Sequence, residues 1–151
     1  MARRLTSLSL ALVMAALGVV MLAGTVAANH FGTFTTGLSG AEEAPGPGDP
    51  NGKGSVTLDV YNAGLVCYTL KFQGIETPTM AHIHVGDAGV AGPVVVDLRI
   101  DLATQSGNRL AYCANATEEV AAAIRANPAD YYVNVHNATY PGGAIRGQLG
   151  D

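Results

Sequence analysis

Three histidines carry the clearest chemistry in this chain. His82 and His84 are separated by one residue within Met80–Asp97, which reads MAHIHVGDAGVAGPVVVD. Successive side chains of a β-strand point to opposite faces, so both imidazoles would project from one face of an extended segment. His136 ends a second alternating segment, Tyr131–His136. Imidazole nitrogens suit copper and zinc, so three of them on neighbouring strands would form one mononuclear metal site.

A second interpretation of the same histidines needs no ion. Buried polar groups cost about 1–3 kcal/mol each when they lack a partner, so a hydrogen-bonded network on this face could simply fix the register of the strands. Asp87 would offset the charge of Arg146 in such a network, or supply a fourth metal ligand. The sequence leaves both interpretations open. Besides the histidines, the predicted network contains Asp87, Tyr132, Asn134, Arg146 and Gln148.

Alternating apolar and polar residues predict the elements that position these side chains. A short helix is predicted over 117–127, because Thr117 can cap it, two glutamates follow and Pro128 ends it. Many short strands with Gly/Pro turns indicate an antiparallel sandwich or barrel. The predicted strands cover 31–39, a hairpin of 55–61 and 65–72, then 81–85, 94–102, 131–136 and 144–149.

The N-terminus has the pattern of a secretory signal peptide. Arg3 and Arg4 precede an almost wholly apolar run, and small residues follow up to Ala28. That run is about 16 residues, short of the roughly 20 that a spanning helix needs. We therefore expect a signal peptide over 1–28, and a single domain over 29–151 that is secreted or held in the periplasm or cell envelope, with no membrane association after cleavage.

The cleavage position affects one further histidine. If cleavage follows Ala27 instead of Ala28, His30 becomes the third residue and could bind Cu(II) in a square plane through backbone nitrogens. A solvated, frayed terminus is the simpler interpretation of that segment.

The chain contains two cysteines, Cys67 and Cys113. In an oxidising compartment we expect them to form one disulfide. Cys67 alternates with the apolar residues of its strand, so the bridge should lie outside the main core.

Charge and motifs exclude several classes of function. Without Arg3 and Arg4 the chain has 6 basic against 12 acidic residues, a net charge of about −6, with no basic run and no tryptophan. Nucleic-acid binding is not expected from such a composition. No phosphate-binding glycine loop occurs, and Ser106 lies in no nucleophile elbow. Glu42 and Glu43 adjoin a Pro/Gly loop and are expected to form turn hydrogen bonds or a solvated corner.

Three segments together resemble the CHRD domain, named for chordin, an extracellular antagonist of bone morphogenetic proteins. They are Leu38–Glu43 with its Pro-rich loop, the Ala81–His84 motif with GPVVV at 92–96, and YVNVH at 132–136 leading to PGGAIRGQL at 141–149. The resemblance covers nearly all of 29–151. It implies a mainly β fold, an immunoglobulin-like or superoxide-dismutase-like antiparallel β-sandwich with one short helix.

The resemblance implies no settled biochemical activity. A dismutase-type copper–zinc pair requires more histidines than the four in this chain, so superoxide dismutase activity is not expected. The growth-factor antagonism of chordin belongs to a multidomain protein and is not carried over. We expect a non-enzymatic binding or structural module whose partner is an extracellular protein or small ligand. The alternative is a protein that binds one copper or zinc ion through His82, His84 and His136.

Overall fold

The computed structural model describes residues 31–150. The predicted signal peptide and His30 lie outside this range. No helix in the described part of the chain is long and apolar enough to span a bilayer.

Nine antiparallel strands form one curled sheet. The strands are β1 (Phe31–Ser39), β2 (Lys53–Tyr61), β3 (Leu65–Gln73), β4 (Met80–Val85), β5 (Val94–Asp97), β6 (Thr104–Ser106), β7 (Arg109–Asn115), β8 (Tyr131–His136) and β9 (Ile145–Gln148). Their order in the sheet is β5-β4-β8-β9-β1-β2-β3-β7-β6. The edge strands β5 and β6 have only four and three residues, whereas the interior strands β1, β2 and β3 have nine each.

The pairing between β1 and β9 has the fewest residue pairs in the sheet and divides it into two halves, β5-β4-β8-β9 and β1-β2-β3-β7-β6. These two strands are joined by a single residue pair, Ser39 with Arg146, whereas β1 and β2 pair along their whole length. Apolar residues from both halves, including Leu58 of β2 and Val133 of β8, lie in one buried cluster. The mainly β, sandwich-like fold predicted from the alternation is therefore confirmed.

The predicted helix forms α1 (Glu118–Ala126), the one α-helix among residues 31–150. Thr117 caps it by accepting a hydrogen bond from the Val120 backbone N–H at 3.2 Å. Such a cap satisfies one of the unpaired N–H groups in the first helical turn. Ala121 and Ile124 face the core and are fully buried.

The disulfide between Cys67 and Cys113 is present and joins directly opposed residues of β3 and β7. Cys67 is half-buried and Cys113 exposed, between core residues such as Val66 and Ala114. The bridge thus lies outside the core, as the alternation predicted.

One predicted strand was too long. Instead of covering 94–102, β5 ends at Asp97, and Arg99 adopts a left-handed conformation with φ 48° and ψ 52°. The carboxylate of Asp97 accepts the Arg99 backbone N–H at 2.8 Å, a local bond that competes with the strand ladder. Ile100–Leu102 then forms a 3-10 turn. The strands β6 and β7 were not predicted.

Candidate functional site

Strands β4, β8 and β9 lie side by side and place the predicted polar residues on one face. In the ladder, His82 lies opposite Asn134 and His84 opposite Tyr132. Ala81 and Ile83, which alternate with these histidines, have no exposed surface and face the core. The polar face is therefore the outer face of this half of the sandwich.

Two of the imidazoles are held by backbone carbonyls. Nδ1 of His84 donates to the Gly92 oxygen at 2.9 Å, and Nδ1 of His136 donates to the Pro141 oxygen at 3.0 Å. Since a neutral imidazole carries one N–H, the lone pair of each ring is on Nε2. Nδ1 of His82 lies 3.1 Å from Nε2 of His136 and donates to it. Nε2 of His84 is buried and has no hydrogen-bond partner.

The three histidines are favoured in their neutral form. Burial lowers the pKa of His82, His84 and His136 below the usual value for imidazole. Asp97 opposes the lowering of the His82 pKa, whereas the nearby Arg146 cation further lowers the pKa of His84. Neutral imidazole is the form that binds metal ions, so this face offers competent ligands at neutral pH.

Side chains from three adjacent strands stack on this face. The His84 ring is nearly parallel to that of Tyr132, with centroids 4.7 Å apart. The guanidinium carbon of Arg146 lies 3.3 Å from the centroid of the same tyrosine ring. Arg146 is only 1% exposed, so this cation–π contact is shielded from solvent. The stack holds the His84 ring in one orientation.

The loop between β4 and β5 is bound down over the same face. Arg146 donates to the carbonyls of Val90 and Asp87, each at 2.9 Å. Gln148 donates to the Gly86 carbonyl at 2.8 Å. Asp87 thus joins the network through its backbone oxygen. Its side chain is exposed and does not serve as the predicted charge partner of Arg146.

The carboxylate that approaches this network belongs to Glu43, which the sequence suggested would lie in a turn or solvated corner. Nδ2 of Asn134 lies 2.7 Å from both Glu43 carboxylate oxygens. Burial raises the pKa of Glu43 to about 7, and the Arg146 cation only partly opposes this shift. Glu43 lies beside a Pro-rich loop, where no alternating apolar pattern indicated that its side chain would be buried.

The three histidines lie close enough together that the cluster could hold a metal ion. At a metal–nitrogen distance of 2.0–2.1 Å, neighbouring nitrogens of a tetrahedral site lie about 3.3 Å apart. The His82–His136 separation is 3.1 Å, and one ligand nitrogen from each of the three rings lies within 4.8 Å of the others. Donation of Nδ1–H to a carbonyl, as at His84 and His136, is the usual orienting contact of metal-bound histidine. Within residues 31–150, no carboxylate joins this cluster.

Comparison with known proteins identifies the family of the domain. No curated protein and no solved structure matches the chain significantly. The family model of the CHRD domain matches residues 34–149, which include all of the site described above. The chain belongs to the CHRD domain family.

Proposed function

We propose that this CHRD-domain protein is exported and acts as a non-catalytic binding module. Its ligand is one copper or zinc ion, held by His82, His84 and His136. Nitrogen donors of this kind suit both metals, and three protein ligands leave a fourth position for another group or water.

The observation that carries this proposal is the buried, unpartnered Nε2 of His84. A buried acceptor without a partner costs about 1–3 kcal/mol, and a metal ion at this point would satisfy it. The Nε2 lone pair of His136 accepts a hydrogen bond from the Nδ1–H of His82. Metal binding requires that the His82 proton move to the other ring nitrogen, which is compatible with a neutral imidazole.

Two features support export. The N-terminal segment 1–28 has the pattern of a cleaved signal peptide. The bond between Cys67 and Cys113 suits an oxidising compartment. Mass spectrometry of protein recovered outside the cytoplasm should give an intact mass that lacks these residues and is two hydrogens below that of the dithiol form.

Metal binding is tested with the full chain expressed with export and then stripped with a chelator. Copper and zinc titrations should show one ion per chain. An ion present at 100 times its dissociation constant should stabilise the fold by about 2.7 kcal/mol, or raise Tm by roughly 10 °C. His84→Phe keeps an aromatic ring against Tyr132 but removes the unpartnered nitrogen. It should abolish the Tm increase, whereas the control His30→Ala should retain it.

The competing explanation is a purely structural network. In that case the wild-type protein takes up neither metal, and metal-free His82→Ala loses stability because the His136 acceptor loses its donor. Absence of metal uptake by folded wild-type protein would exclude our proposal.

A second candidate function is favoured by a cleft of about 310 Å³ between Glu43–Pro47 and Thr139–Gly143. Loops on a rigid sheet commonly present binding surfaces. A small ligand or a segment of an extracellular protein would fit such a cleft. Chemical-shift changes confined to these two loops on addition of envelope extract would support this function, and their absence would count against it.

A further inference from the structure

We propose that Met80 is a fourth ligand of the histidine cluster and that the site selects cuprous copper over zinc. This inference rests on the proposed function, because it names the metal and completes its coordination. It goes beyond the three histidines by adding a soft sulfur donor.

Met80 lies on the same face of β4 as the two histidines of that strand. Its position alternates with Ala81 and Ile83, both of which face the core with no exposed surface. Side chains two residues apart in a strand share a face, so Met80 is followed on the outer face by His82 and His84. The methionine therefore begins the row in which two of the proposed ligands lie.

Met80 is also directly opposite the third histidine. In the β4–β8 ladder its partner is His136. Directly opposed side chains have Cβ atoms about 4.5–5.5 Å apart, which is within reach of a long, unbranched side chain. Thr79 anchors this end of the pairing, because its backbone N–H donates to the His136 carbonyl at 2.9 Å. Met80 is thus held next to both His82 and His136.

The exposure of Met80 is consistent with a ligand at the open side of the cluster. The residue is 46% exposed, although β4 is an interior strand of the sheet. The His84 nitrogen, in contrast, is buried. An ion between these two groups would be enclosed by imidazoles on the inner side and by the thioether on the side facing solvent.

The donor set decides between the two metals. Thioether sulfur and imidazole suit Cu(I), whereas zinc sites are made from cysteine, histidine and carboxylate ligands. Among the described residues, the cluster contains no carboxylate and no cysteine. Zinc would have to take water as its fourth ligand, while Cu(I) gains a protein sulfur.

The test is a comparison of Cu(I) and Zn(II) affinities in the full chain, with Met80→Leu as the variant. Leucine keeps the apolar volume and removes only the sulfur. Cu(I) is supplied in competition with a chromophoric chelator and kept reduced with ascorbate, without thiols that would open the disulfide. We expect Met80→Leu to weaken Cu(I) binding by roughly tenfold or more, which is about 1.4 kcal/mol or more. Zn(II) binding should change by less than about twofold.

Phe31→Leu is the matched control, because Phe31 is a similarly exposed apolar residue (52%) on another strand. It should leave both affinities unchanged. X-ray absorption of the copper-loaded wild-type protein should show one sulfur neighbour that is missing in Met80→Leu.

The possible outcomes separate this inference from the proposed function. One outcome is that the wild-type protein binds copper or zinc and that His84→Phe abolishes this binding. If Met80→Leu then keeps the full Cu(I) affinity, the role of Met80 is refuted and the histidine site stands. If folded wild-type protein binds neither metal, both proposals fail. A selective loss of Cu(I) affinity in Met80→Leu supports both.

Discussion

Replacing Glu43 by glutamine should make the fold more stable at alkaline pH. The Glu43 side chain is half-buried, and Nδ2 of Asn134 contacts both of its oxygens at 2.7 Å. Desolvation raises its pKa from 4.5 to about 7, against the opposing effect of Arg146. The native state therefore favours the protonated acid. Glutamine is neutral at every pH and retains an oxygen that can accept from Asn134.

The magnitude follows from the shift in pKa. A pKa of about 7 against 4.5 corresponds to about 3.4 kcal/mol at 1.36 kcal/mol per unit. Solvent reaches part of the Glu43 side chain, so we reduce this figure to about 2 kcal/mol. Because the pKa of Glu43 is raised in the folded state, the contribution of Glu43 to folding stability is fully present below pH 4.5. That contribution is lost as the pH rises through about 7.

The assay is urea unfolding of wild type and Glu43→Gln across this range of pH. The difference in free energy of unfolding between the two proteins should be constant below pH 4.5 and should grow by about 2 kcal/mol in favour of the variant by pH 8. Contributions from the histidines are common to both proteins and cancel in the difference.

The matched control is Glu42→Gln, since Glu42 is the exposed neighbour of Glu43. Because Glu42 is exposed, this variant should differ from the wild type by less than about 0.5 kcal/mol at pH 8. If the free energies of unfolding of wild type and Glu43→Gln change in parallel from pH 5 to pH 8, the reasoning is refuted. It is also refuted if the wild type is the more stable protein at high pH.

Three further predictions concern the elements around the site. Replacing Cys67 and Cys113 together by serine should lower the free energy of unfolding in urea by about 2–4 kcal/mol, because the bridge closes a loop with a sequence separation of 46. Arg146→Met should cost about 2–4 kcal/mol and speed amide exchange in the loop between β4 and β5, because the carbonyls of Asp87 and Val90 lose their buried donor. Gly92→Ala should cost more than about 2 kcal/mol in thermal unfolding, because the new Cβ would overlap the Val85 carbonyl oxygen.

Controls for the last two predictions are available in the same chain. Arg109→Met removes an exposed arginine that bonds to Thr69, and it should change stability by less than about 1 kcal/mol. Gly142→Ala introduces a Cβ with no atom within 4 Å and should also be nearly neutral. Equal effects in variant and control would contradict the assigned role of Arg146 or of Gly92.

Local alternation was sufficient to predict most of the strands and the face on which the histidines lie. It works for β4 because Ala81 and Ile83 fill the core while His82 and His84 face outward. Helix α1 was predicted from a different local signal, because Thr117 is a strong cap and its bond to Val120 is local.

Long-range features could not be predicted in the same way. The burial of Glu43 depends on its contact with Asn134, 91 residues further along the chain. The end of β5 is set by a bond between Asp97 and Arg99 that overrides a continuing apolar pattern. The alternation of β4 includes Met80, so its place in the histidine row was visible, but only the ladder shows that it lies opposite His136.

The short edge strands of the sheet have a consequence for solubility. A free edge strand exposes unpaired N–H and C=O groups that can pair with a strand from another molecule. Here the edge strands are Val94–Asp97 and Thr104–Ser106, only four and three residues long, while the nine-residue strands are enclosed on both sides. Each edge strand offers too few groups for a stable intermolecular ladder, so the folded protein should resist fibril formation even at high concentration.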